Sequence, residues 1–434
     1  MIKNTLRKII PKPVLLFYHW ILAYLAVFIY GYPSNKMIVI GVTGTSAKST
    51  VVNLIGKILE QAGFKVGLTT TFNFKIGKEE KINKNKMTML GRFALQKLLK
   101  QMYKAGCQYA VIETTSQGIK QYRHLGINYD VGVFTNLSKE HIESHGSFEK
   151  YRKAKQKLFQ HLSKCKRKKI DKKIINKVSV INLDDENKEY FLKFKVDQQY
   201  GYTCEGNSLK DIKVVSAENI RAMSDGSEFI VNDVNFKLNL LGKFNVINAL
   251  SAICVALSQN IDLNICQKAL AKVEQIPGRM EVVNKQPFTV IVDYAHIPDS
   301  LEKVYQTLKN LENQPRLICV LGSAGGGRDK WKRPIMGQIA EKYGDEIIIT
   351  NEDPYNEDPE QIIDQIISGI KNKKAIKILD RKEAIRKAIN MAREGDIVII
   401  TGKGCEPWIM GPKNQRIAWD DRAIVKEVLN EEQK

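Results

Sequence analysis

The sequence lacks paired cysteines. Its 434 residues include seven cysteines, an odd number, and no Cys-x-x-Cys motif occurs. Disulfide frameworks and structural zinc sites both need cysteines, or cysteines and histidines, at characteristic spacings. The wide spacing therefore argues against both and indicates reduced thiols in a cytoplasmic protein. The cysteines are Cys107, Cys165, Cys204, Cys254, Cys266, Cys319 and Cys405.

Negative charge is also scarce. The chain has 68 lysines and arginines against 47 aspartates and glutamates, which gives a formal net charge of +21. A basic surface attracts anions of many kinds, including nucleic acids, anionic lipids and nucleotides. The lysine runs, such as that at 164–173, are not interleaved with aromatic residues and have no zinc-knuckle spacing. We therefore interpret them as a solvated face, and we expect small-molecule substrates and no nucleic-acid partner.

No small-residue cleavage site follows the apolar run at 14–32, VLLFYHWILAYLAVFIYGY, so a cleaved signal peptide is not expected. The run is just long enough to span a bilayer, which needs about 20 residues, and its Tyr and Trp content suits a membrane interface. His19 and the scattered tyrosines weaken the case for spanning. Two interpretations stay open: contact of residues 14–32 with the inner face of a membrane, or a helix packed on the domain behind it.

From residue 37 onward, short β-branched runs alternate with stretches of helical periodicity, which is typical of mostly parallel sheets with crossover helices. Short runs with Gly and Ser breaks at 200–240 predict an antiparallel addition, and QIPGRMEVV at 275–283 predicts a domain boundary. We expect an α/β protein in three parts: an apolar and basic N-terminal helical segment at 1–36, a central P-loop-type domain at 37–274, and a C-terminal Rossmann-like domain at 275–434.

The stretch GVTGTSAKST at 41–50 predicts a loop between a strand and a helix. In phosphate-binding loops, backbone amides at a helix N-terminus surround the anion, a Lys reaches the β/γ-phosphates and a Ser or Thr hydroxyl binds Mg²⁺. Lys48 and Ser49 occupy those positions, but the strict pattern fails at Val42 and Ala47. Alanine can replace a glycine that provides only close approach if its φ is negative. We therefore expect a phosphate loop in which Ala47 weakens phosphate binding at most and does not prevent it. The alternative is a turn that binds no ligand.

Polar side chains follow two other predicted strands. Glu113 ends one apolar run, and FTNLSKEHIESHG at 134–146 places His141 after another. Open α/β sheets bind ligands at the carboxyl ends of their strands, and Mg²⁺ prefers oxygen ligands such as Glu113, whereas His141 is a less usual one. Taken singly, each could equally be a helix cap or part of a solvated loop. Lys155, in YRKAKQKLF, looks by itself like one more surface lysine.

Taken together and in order, these motifs resemble those of the Mur ligase family. The loop fits G-x-T-G-T-x-x-K-[ST]-T, and Y-x-x-A-K-x-x-L-F surrounds Lys155. The resemblance covers about residues 37–434 and is greatest to the UDP-N-acetylmuramoyl-dipeptide ligases (tripeptide synthetases), which add the third residue of the peptidoglycan stem. The later motifs are LLGKFNVINAL (240–250), PGRMEVV (277–283), VDYAHIPDSLEKV (292–304), GGGRDKWKRPIMG (325–337), NEDPYNEDP (351–359), LDRKEAI (379–385) and TGKGCE (401–406).

The resemblance implies a cytoplasmic, monomeric, ATP-dependent amide ligase. An acceptor carboxylate attacks the γ-phosphate of ATP, and the amine of an amino acid then displaces phosphate from the acyl phosphate. The residues it implies for ATP are Gly44, Thr45, Lys48, Ser49, Thr50, Asn248 (adenine), Arg279 (phosphates) and Asp293 (ribose). Those implied for Mg²⁺ are Ser49, Glu113, His141 and Lys155, the last as a carbamate. The implied catalytic residues are Lys48, His141, Lys155 and Arg279, and those implied for the substrate are Arg328, Asp353, Tyr355, Gly402 and Glu406.

The chain departs from the family before the phosphate loop. Members usually carry a domain there that binds the UDP-sugar, whereas here only the apolar segment at 1–36 precedes the loop region. A UDP-MurNAc-dipeptide or a related acceptor is expected. The alternatives are a lipid-linked precursor, a poly-amino-acid or folate-type glutamate addition.

The chain also departs at the amino-acid motif. Members that take meso-diaminopimelate carry D-N-P-R, and the matching residues here are Glu352, Asp353, Pro354 and Tyr355. Because the Arg that would pair with the distal carboxylate is absent, we expect a basic amino acid to be preferred over diaminopimelate. Smaller departures, Ala47, Gln117 and Cys405 among them, leave a nucleotide-binding protein without turnover as a further alternative.

Overall fold

The computed structural model describes residues 11–85, 87–223 and 225–432. The helices in these ranges are α1 (Lys12–Tyr30), α2 (Lys48–Gln61), α3 (Arg92–Lys104), α4 (Ser116–Lys120), α5 (Ile142–His145), α6 (Phe148–Leu162), α7 (Glu189–Leu192), α8 (Lys243–Ser258), α9 (Leu263–Ala271), α10 (Pro298–Lys309), α11 (Lys332–Tyr343), α12 (Pro359–Ile367), α13 (Arg381–Met391) and α14 (Asp421–Glu432).

The strands of the first half are β1 (Ile38–Thr43), β2 (Val66–Thr69), β3 (Asn73–Ile76), β4 (Glu79–Ile82), β5 (Tyr109–Glu113), β6 (Val131–Phe134), β7 (Lys168–Ile170), β8 (Lys173–Ile175), β9 (Val178–Asn182), β10 (Gln198–Thr203), β11 (Lys213–Ser216), β12 (Glu218–Met223), β13 (Gly226–Val231) and β14 (Val234–Leu238). Those of the second half are β15 (Glu281–Asn284), β16 (Thr289–Asp293), β17 (Leu317–Leu321), β18 (Glu346–Ile349), β19 (Ala375–Lys377), β20 (Ile397–Thr401), β21 (Trp408–Met410) and β22 (Arg416–Ala418).

A nine-stranded sheet organises the first half of the chain, in the order β11-β10-β9-β6-β1-β5-β2-β3-β4. The pairs from β11 to β2 are parallel, and β3 and β4 add antiparallel strands at one edge. The central strands are buried along their length, because helices cover both faces of a parallel sheet. This confirms the prediction of a mostly parallel sheet.

Alternate residues of β1 face the two helical layers of this sheet. Ile40 and Val42 pack in the layer that contains α2, α8 and α9, and Val39 packs in the layer that contains α3 and α6. Because β5 and β6 flank β1 on either side, the carboxyl ends of the three strands lie side by side. That edge carries the phosphate-loop sequence.

The antiparallel addition predicted for 200–240 is present over 218–238 as a three-stranded sheet, β12-β13-β14. The prediction was wrong for β10 and β11, which pair in parallel within the nine-stranded sheet. The second half is organised by a six-stranded sheet in the order β15-β16-β20-β17-β18-β19, in which β15 is antiparallel and the other pairs are parallel. Helices cover both of its faces and form two separate apolar clusters. The second α/β unit expected from the sequence is therefore confirmed.

Helix α1 packs against α3 on the outside of the nine-stranded sheet. Ala23, Ala26 and Val27 form its buried side. Within the described ranges, no helix combines the length and apolar character needed to cross a membrane. Residues 12–30 thus form a helix packed on the domain behind it, while much of their aromatic surface remains exposed.

Candidate active site

The phosphate-loop sequence forms the connection that its pattern predicts. β1 ends at Thr43, and α2 begins at Lys48 with its N-terminus facing the loop. Asn136, which follows β6, holds the loop: its backbone oxygen accepts from the Thr45 amide at 2.9 Å, and its Oδ1 accepts from the Ser46 amide at 2.9 Å. Lys48 Nζ donates to the Thr45 carbonyl oxygen at 2.7 Å. The lysine that would reach a phosphate is therefore folded over the loop.

Ala47 and Gly44 set the shape of this loop. Ala47 has a φ of 68°, in the left-handed region, so the expectation that alanine is accommodated through a negative φ is wrong. An L-residue in that conformation brings Cβ close to a carbonyl oxygen, which costs about 1–2 kcal/mol. At Gly44, an added Cβ would overlap Thr135 Oγ1. Glycine is therefore required where the segments that follow β1 and β6 approach each other.

Glu113, at the end of β5, is hydrogen-bonded to the start of α2. Its Oε2 accepts from the Ser49 hydroxyl at 2.7 Å and from the Thr71 amide at 3.0 Å. A hydroxyl and a carboxylate side by side suit Mg²⁺, which takes few protein ligands and keeps several waters. The described residues contain no group of three or more His, Cys, Asp or Glu side chains that could share a metal. The implied magnesium set instead includes a hydroxyl and a lysine.

Lys155 is buried, although its sequence context resembles that of a surface lysine. α6 begins after Ser147, whose hydroxyl accepts from the Lys150 amide at 3.2 Å, and the helix directs Lys155 toward the loop. Its Nζ donates to the Gly44 carbonyl oxygen at 2.5 Å. Burial holds the pKa of Lys155 well below its usual value, and the charge of Lys48 lowers it further. A neutral amine is the form that reacts with CO₂, so this environment suits a carbamate.

His141 follows β6 and faces the second half of the chain. Its Nε2 lies 3.4 Å from Glu140 Oε1, and His296 Nε2 lies 3.3 Å from the same oxygen. Burial lowers the pKa of His141 to about 4, so its imidazole is neutral at neutral pH and keeps a lone pair for a metal ion. The sequence placed Glu140 and His141 at a strand end, but it gave no signal that His296 would meet them.

A cavity of about 400 Å³ lies between the two sheets and is lined by residues of both halves. It opens beside His141 and Glu140 and ends at the loops that follow β17, β18 and β20. All the residues implied to bind the substrate line it together with His141: Arg328, Asp353, Tyr355, Gly402 and Glu406. The cavity thus joins the phosphate-loop edge to the C-terminal strand ends.

Glu352, Asp353 and Glu406 line the far end of the cavity together with Arg328 and Arg416, and Lys403 pairs with two of these carboxylates. Lys403 Nζ lies 3.0 Å from Asp353 Oδ1 and 2.6 Å from Glu406 Oε2. Much of the negative charge of Asp353, which was expected to serve a basic substrate, is therefore already compensated. Glu352 Oε2 is buried and has no hydrogen-bond partner within the described part of the chain. A buried carboxylate oxygen in that state favours a ligand that donates a hydrogen bond, although the charges of Lys332, Arg381 and Lys403 already act on this carboxylate.

Arg279 and Asp293 lie near each other at the entry to the second half. The Arg279 guanidinium lies 4.3 Å from the centre of the Tyr294 ring. The Asp293 carboxylate accepts from the amides of Met280 at 2.7 Å and Ala295 at 2.6 Å. Burial raises the pKa of Asp293, while the charge of Arg279 opposes that effect. In this structure Asp293 orders the turn that carries Arg279.

Asn248 and Thr50 lie on the two helices beside the loop. Thr50 is buried in the first turn of α2, and Asn248 is buried on α8, which packs against α2. Asn248 Nδ2 donates to Asn245 Oδ1 at 3.0 Å. Asn248 is therefore near the loop's helix but does not line the cavity that contains the substrate residues.

Sequence reasoning missed several contacts that hold the two halves together. Asp329 accepts from the backbone amides of Ile142 at 3.2 Å and Glu143 at 2.9 Å, at the start of α5. The hydroxyls of Ser46 and Ser300 lie 2.7 Å apart. The position of Asp329 directly after Arg328 in GGGRDKW was the one available signal. The motif shows that Asp329 is charged and follows Arg328, but it does not show that Asp329 contacts the start of α5.

Comparison with known proteins agrees with this architecture. The Mur ligase middle domain matches residues 42–256, and the Mur ligase, glutamate ligase domain matches residues 278–404. The UDP-N-acetylmuramoyl-L-alanyl-D-glutamate–2,6-diaminopimelate ligase of Aquifex aeolicus is 39% identical over 405 residues, covering 92% of this chain and 79% of that protein. The UDP-N-acetylmuramyl-tripeptide synthetase of Roseiflexus is 38% identical over 423 residues, covering 94% and 82%.

Solved structures show the same fold. A UDP-N-acetylmuramoyl-L-alanyl-D-glutamate–2,6-diaminopimelate ligase matches with a TM-score of 0.59 and 31% identity, over 92% of this chain and 79% of that one. Folylpolyglutamate synthase of Mycobacterium tuberculosis matches with a TM-score of 0.69, over 88% of this chain and 92% of that one, but at 18% identity it supports the fold alone. With both domains matched in order, this chain belongs to the Mur ligase family, whose members are ATP-dependent ligases that form amide bonds.

Proposed function

We propose that this chain adds an amino acid to the peptide of a UDP-MurNAc-dipeptide or a closely related peptidoglycan precursor. The observation that carries the proposal is the shared cavity, in which His141 of the phosphate-loop edge faces Arg328, Tyr355 and Glu406 of the C-terminal half. In this assignment residues 37–274 form the ATP-binding domain and 275–434 the C-terminal domain. An acceptor carboxylate takes the γ-phosphoryl group of ATP, ADP leaves, and the amine of the amino acid attacks the acyl carbon and expels phosphate.

The nucleotide would lie at the N-terminus of α2. There Lys48 neutralises the β/γ-phosphates, and Gly44, Thr45, Ser49 and Thr50 surround them. Phosphoryl transfer needs positioning and charge neutralisation more than covalent help from the protein. Lys48, whose Nζ donates to the Thr45 carbonyl oxygen, would supply that charge after turning toward the phosphates. The remaining nucleotide contacts are assigned to Asn248 for adenine, Asp293 for ribose and Arg279 for phosphates.

The magnesium site would use Ser49 and Glu113, with His141 and a carbamylated Lys155 as further ligands. Bound Mg²⁺ would neutralise charge on the transferring phosphate. The support is chemical: Glu113 and Ser49 are already adjacent, His141 is neutral at neutral pH, and burial favours the reactive amine of Lys155. An ammonium at that position would repel the metal, whereas a carbamate is an anionic oxygen ligand.

For the amino acid we propose lysine, ornithine or a similar basic substrate. Tyr355 cannot form the bidentate pair that an arginine forms with a distal carboxylate. Asp353 and Glu406 are paired with Lys403. The charges of Lys332, Arg381 and Lys403 also act on Glu352, but its Oε2 has no hydrogen-bond partner in the described chain and is the oxygen we assign to a cationic side chain. The relatives named above as 2,6-diaminopimelate ligases would then differ from this chain in the amino acid they add.

The proposal is tested by measuring phosphate release from ATP in the presence of Mg²⁺ and bicarbonate. UDP-MurNAc-L-Ala-D-Glu is supplied with lysine, ornithine or meso-diaminopimelate, and the product mass is read in parallel. Release that requires both acceptor and one amino acid supports the ligase and identifies the third residue. Release with a lipid-linked, poly-amino-acid or folate acceptor instead would correct the acceptor, and ATP binding without release under any acceptor would reject turnover.

We also propose that the enzyme acts as a monomer in the cytoplasm. Its seven cysteines are all free thiols, which fits a reducing compartment, and its nucleotide substrates are cytoplasmic. A single species at monomer mass in analytical ultracentrifugation is the expected result, and a stable dimer would contradict it.

A further inference from the structure

The outward side of α1 is an aromatic and aliphatic stripe, which we call the α1 stripe. It consists of Phe17, Trp20, Ile21, Tyr24, Leu25 and Phe28, spaced three and four residues apart so that they share one side of the helix. All are exposed; Phe17 is 62% and Phe28 71% exposed. The rings of Trp20 and Tyr24 lie 4.9 Å apart. Scattered exposed apolar residues are normal, but a continuous stripe of this kind marks an interaction surface.

The inward side of α1 fixes the direction of this stripe. Ala23, Ala26 and Val27 are buried against the domain, and α1 packs against α3. A Cβ on Gly126 would overlap Val27, so the helix also contacts the loop before β6. Since one side is docked, α1 lies along the protein surface and presents the α1 stripe outward. This is the arrangement of a helix that lies in a membrane interface rather than crossing it.

The chain segment that contains the α1 stripe and the helix on which it rests both carry basic residues and no acidic ones. Residues 1–36 contain no Asp or Glu but include Lys3, Arg7, Lys8, Lys12 and Lys36. α3, the helix on which α1 rests, likewise has no acidic residue and carries Arg92, Lys97, Lys100 and Lys104. Lys100 Nζ lies 5.8 Å from the centre of the Tyr30 ring, which places this charge beside the end of α1. Such a combination attracts anionic headgroups while aromatic side chains enter the interface.

We propose that the α1 stripe binds the surface of an anionic lipid bilayer, with α1 parallel to the membrane plane. A second copy of the chain is a poorer occupant, because a symmetric contact would bring two basic surfaces together. A neutral apolar partner would leave the charges on α3 without a role. The inference is independent of the ligase reaction, since the α1 stripe includes no residue of the cavity.

Flotation with lipid vesicles tests this inference on the full chain. We expect binding to vesicles of phosphatidylcholine mixed with phosphatidylglycerol and little binding to phosphatidylcholine alone. The triple variant F17S/W20S/F28S should lower the apparent affinity by about a hundredfold, because it removes three side chains that would be buried. The variant K97Q/K100Q/K104Q should lower it by about tenfold or more. Matched controls are I174S, an exposed apolar residue on the β7–β8 hairpin, and K210Q/K285Q/K374Q, which removes equal charge elsewhere.

A second measurement reads the depth of Trp20. Brominated lipids should quench part of the tryptophan fluorescence of the full chain, and the W20F variant should lose that part while still floating. Absence of binding to anionic vesicles, equal effects of the control variants, or unquenched Trp20 would each overturn the inference. So would a dimer in ultracentrifugation that F17S/W20S/F28S converts to monomer, because the stripe would then be covered by a second copy.

Discussion

The phosphate-loop edge and the amino-acid end of the cavity differ in how their charged side chains are held. At the phosphate-loop end, Ser49, Glu113 and Lys155 are buried and each is hydrogen-bonded within its own domain. At the amino-acid end, Glu352 Oε2 is buried without a hydrogen-bond partner in the described chain, and Tyr355 has a φ of 54°. The charged groups at the phosphate-loop edge are thus already paired, although the hydroxyls of Thr43 and Ser138 there are buried without a partner in the described chain, whereas at the other end it is a carboxylate oxygen that lacks one.

This difference follows from what each end has to do. Groups that stabilise charge in a transition state work best when they are fixed in advance. Groups that select a substrate can leave a polar atom that only the right ligand satisfies, since an analogue without the matching group then leaves it buried and unpaired. We therefore expect substitutions at the first end to lower turnover for every amino acid, and substitutions at the second end to change which amino acid is used.

The largest effect is expected from Lys155→Ala. Removing the buried amine removes the anionic ligand that its carbamate would provide, and we expect phosphate release to fall by about a thousandfold with every amino acid, a size typical of losing one electrostatic stabiliser. Thermal stability should fall little, because burying the Lys155 amine is itself unfavourable and the substitution removes that cost. Lys153→Ala, at an exposed position of the same helix, is the control and should retain activity. Activity of Lys155→Ala within tenfold of the parent would contradict the role.

Glu352→Gln should have the next largest effect, and only on some substrates. Replacing the charge at this position weakens a charge-assisted hydrogen bond by about 2 kcal/mol, or about thirtyfold in kcat/KM for lysine or ornithine. The measurement is kcat/KM for each amino acid with acceptor and ATP saturating. Glu394→Gln, an exposed carboxylate, serves as the matched control. An equal loss with all amino acids would break the division between the two ends.

Tyr355→Arg should shift the choice of amino acid toward meso-diaminopimelate, the substrate that Glu352 disfavours. A guanidinium there can pair with a distal carboxylate, so kcat/KM for meso-diaminopimelate should rise about tenfold relative to lysine. Competition between the two amino acids, read from the product masses, measures the ratio. An unchanged ratio would mean that position 355 does not face the substrate side chain.

Ala47→Gly should have the smallest effect. Glycine adopts the left-handed conformation without the Cβ penalty, so this variant should stabilise the ATP-binding half by about 1 kcal/mol. Denaturant unfolding followed with a probe in that half gives the value. Ala62→Gly is the control, because Ala62 has a φ of −77°, where glycine offers no relief. Equal responses of the two variants would show that the φ of Ala47 carries no strain.

The periodicity of the sequence predicted the strands, the crossover helices and the loop at 44–47, because these depend on local patterns. It could not reveal the burial of Lys155, since that depends on which side of α6 faces the sheet. It also misjudged Ala47, because a backbone dihedral angle is set by the strands on either side of the loop. The contact between Glu140 and His296 joins residues far apart in the chain and has no local signal.

The site residues themselves were found through a resemblance of ordered motifs. Spacing alone predicted Lys48 and Ser49 in a phosphate loop, but it left Glu113, His141 and Lys155 as helix caps or surface residues. Lys403 was missed because its pair with Asp353 forms only when β18 and β20 lie in the same sheet, although its second partner, Glu406, is only three residues away in the chain. Charge pairing across strands is thus the part of the site that a single sequence shows least well.

In the proposed reaction, an acyl phosphate forms between ATP and an acceptor carboxylate in this cavity. The most direct test uses an acceptor whose reacting carboxylate carries a heavy-oxygen label, with ATP, Mg²⁺, bicarbonate and lysine. One labelled oxygen should appear in the released phosphate for each amide formed, as detected by mass spectrometry. Released phosphate without label, while the amide product accumulates, would contradict it.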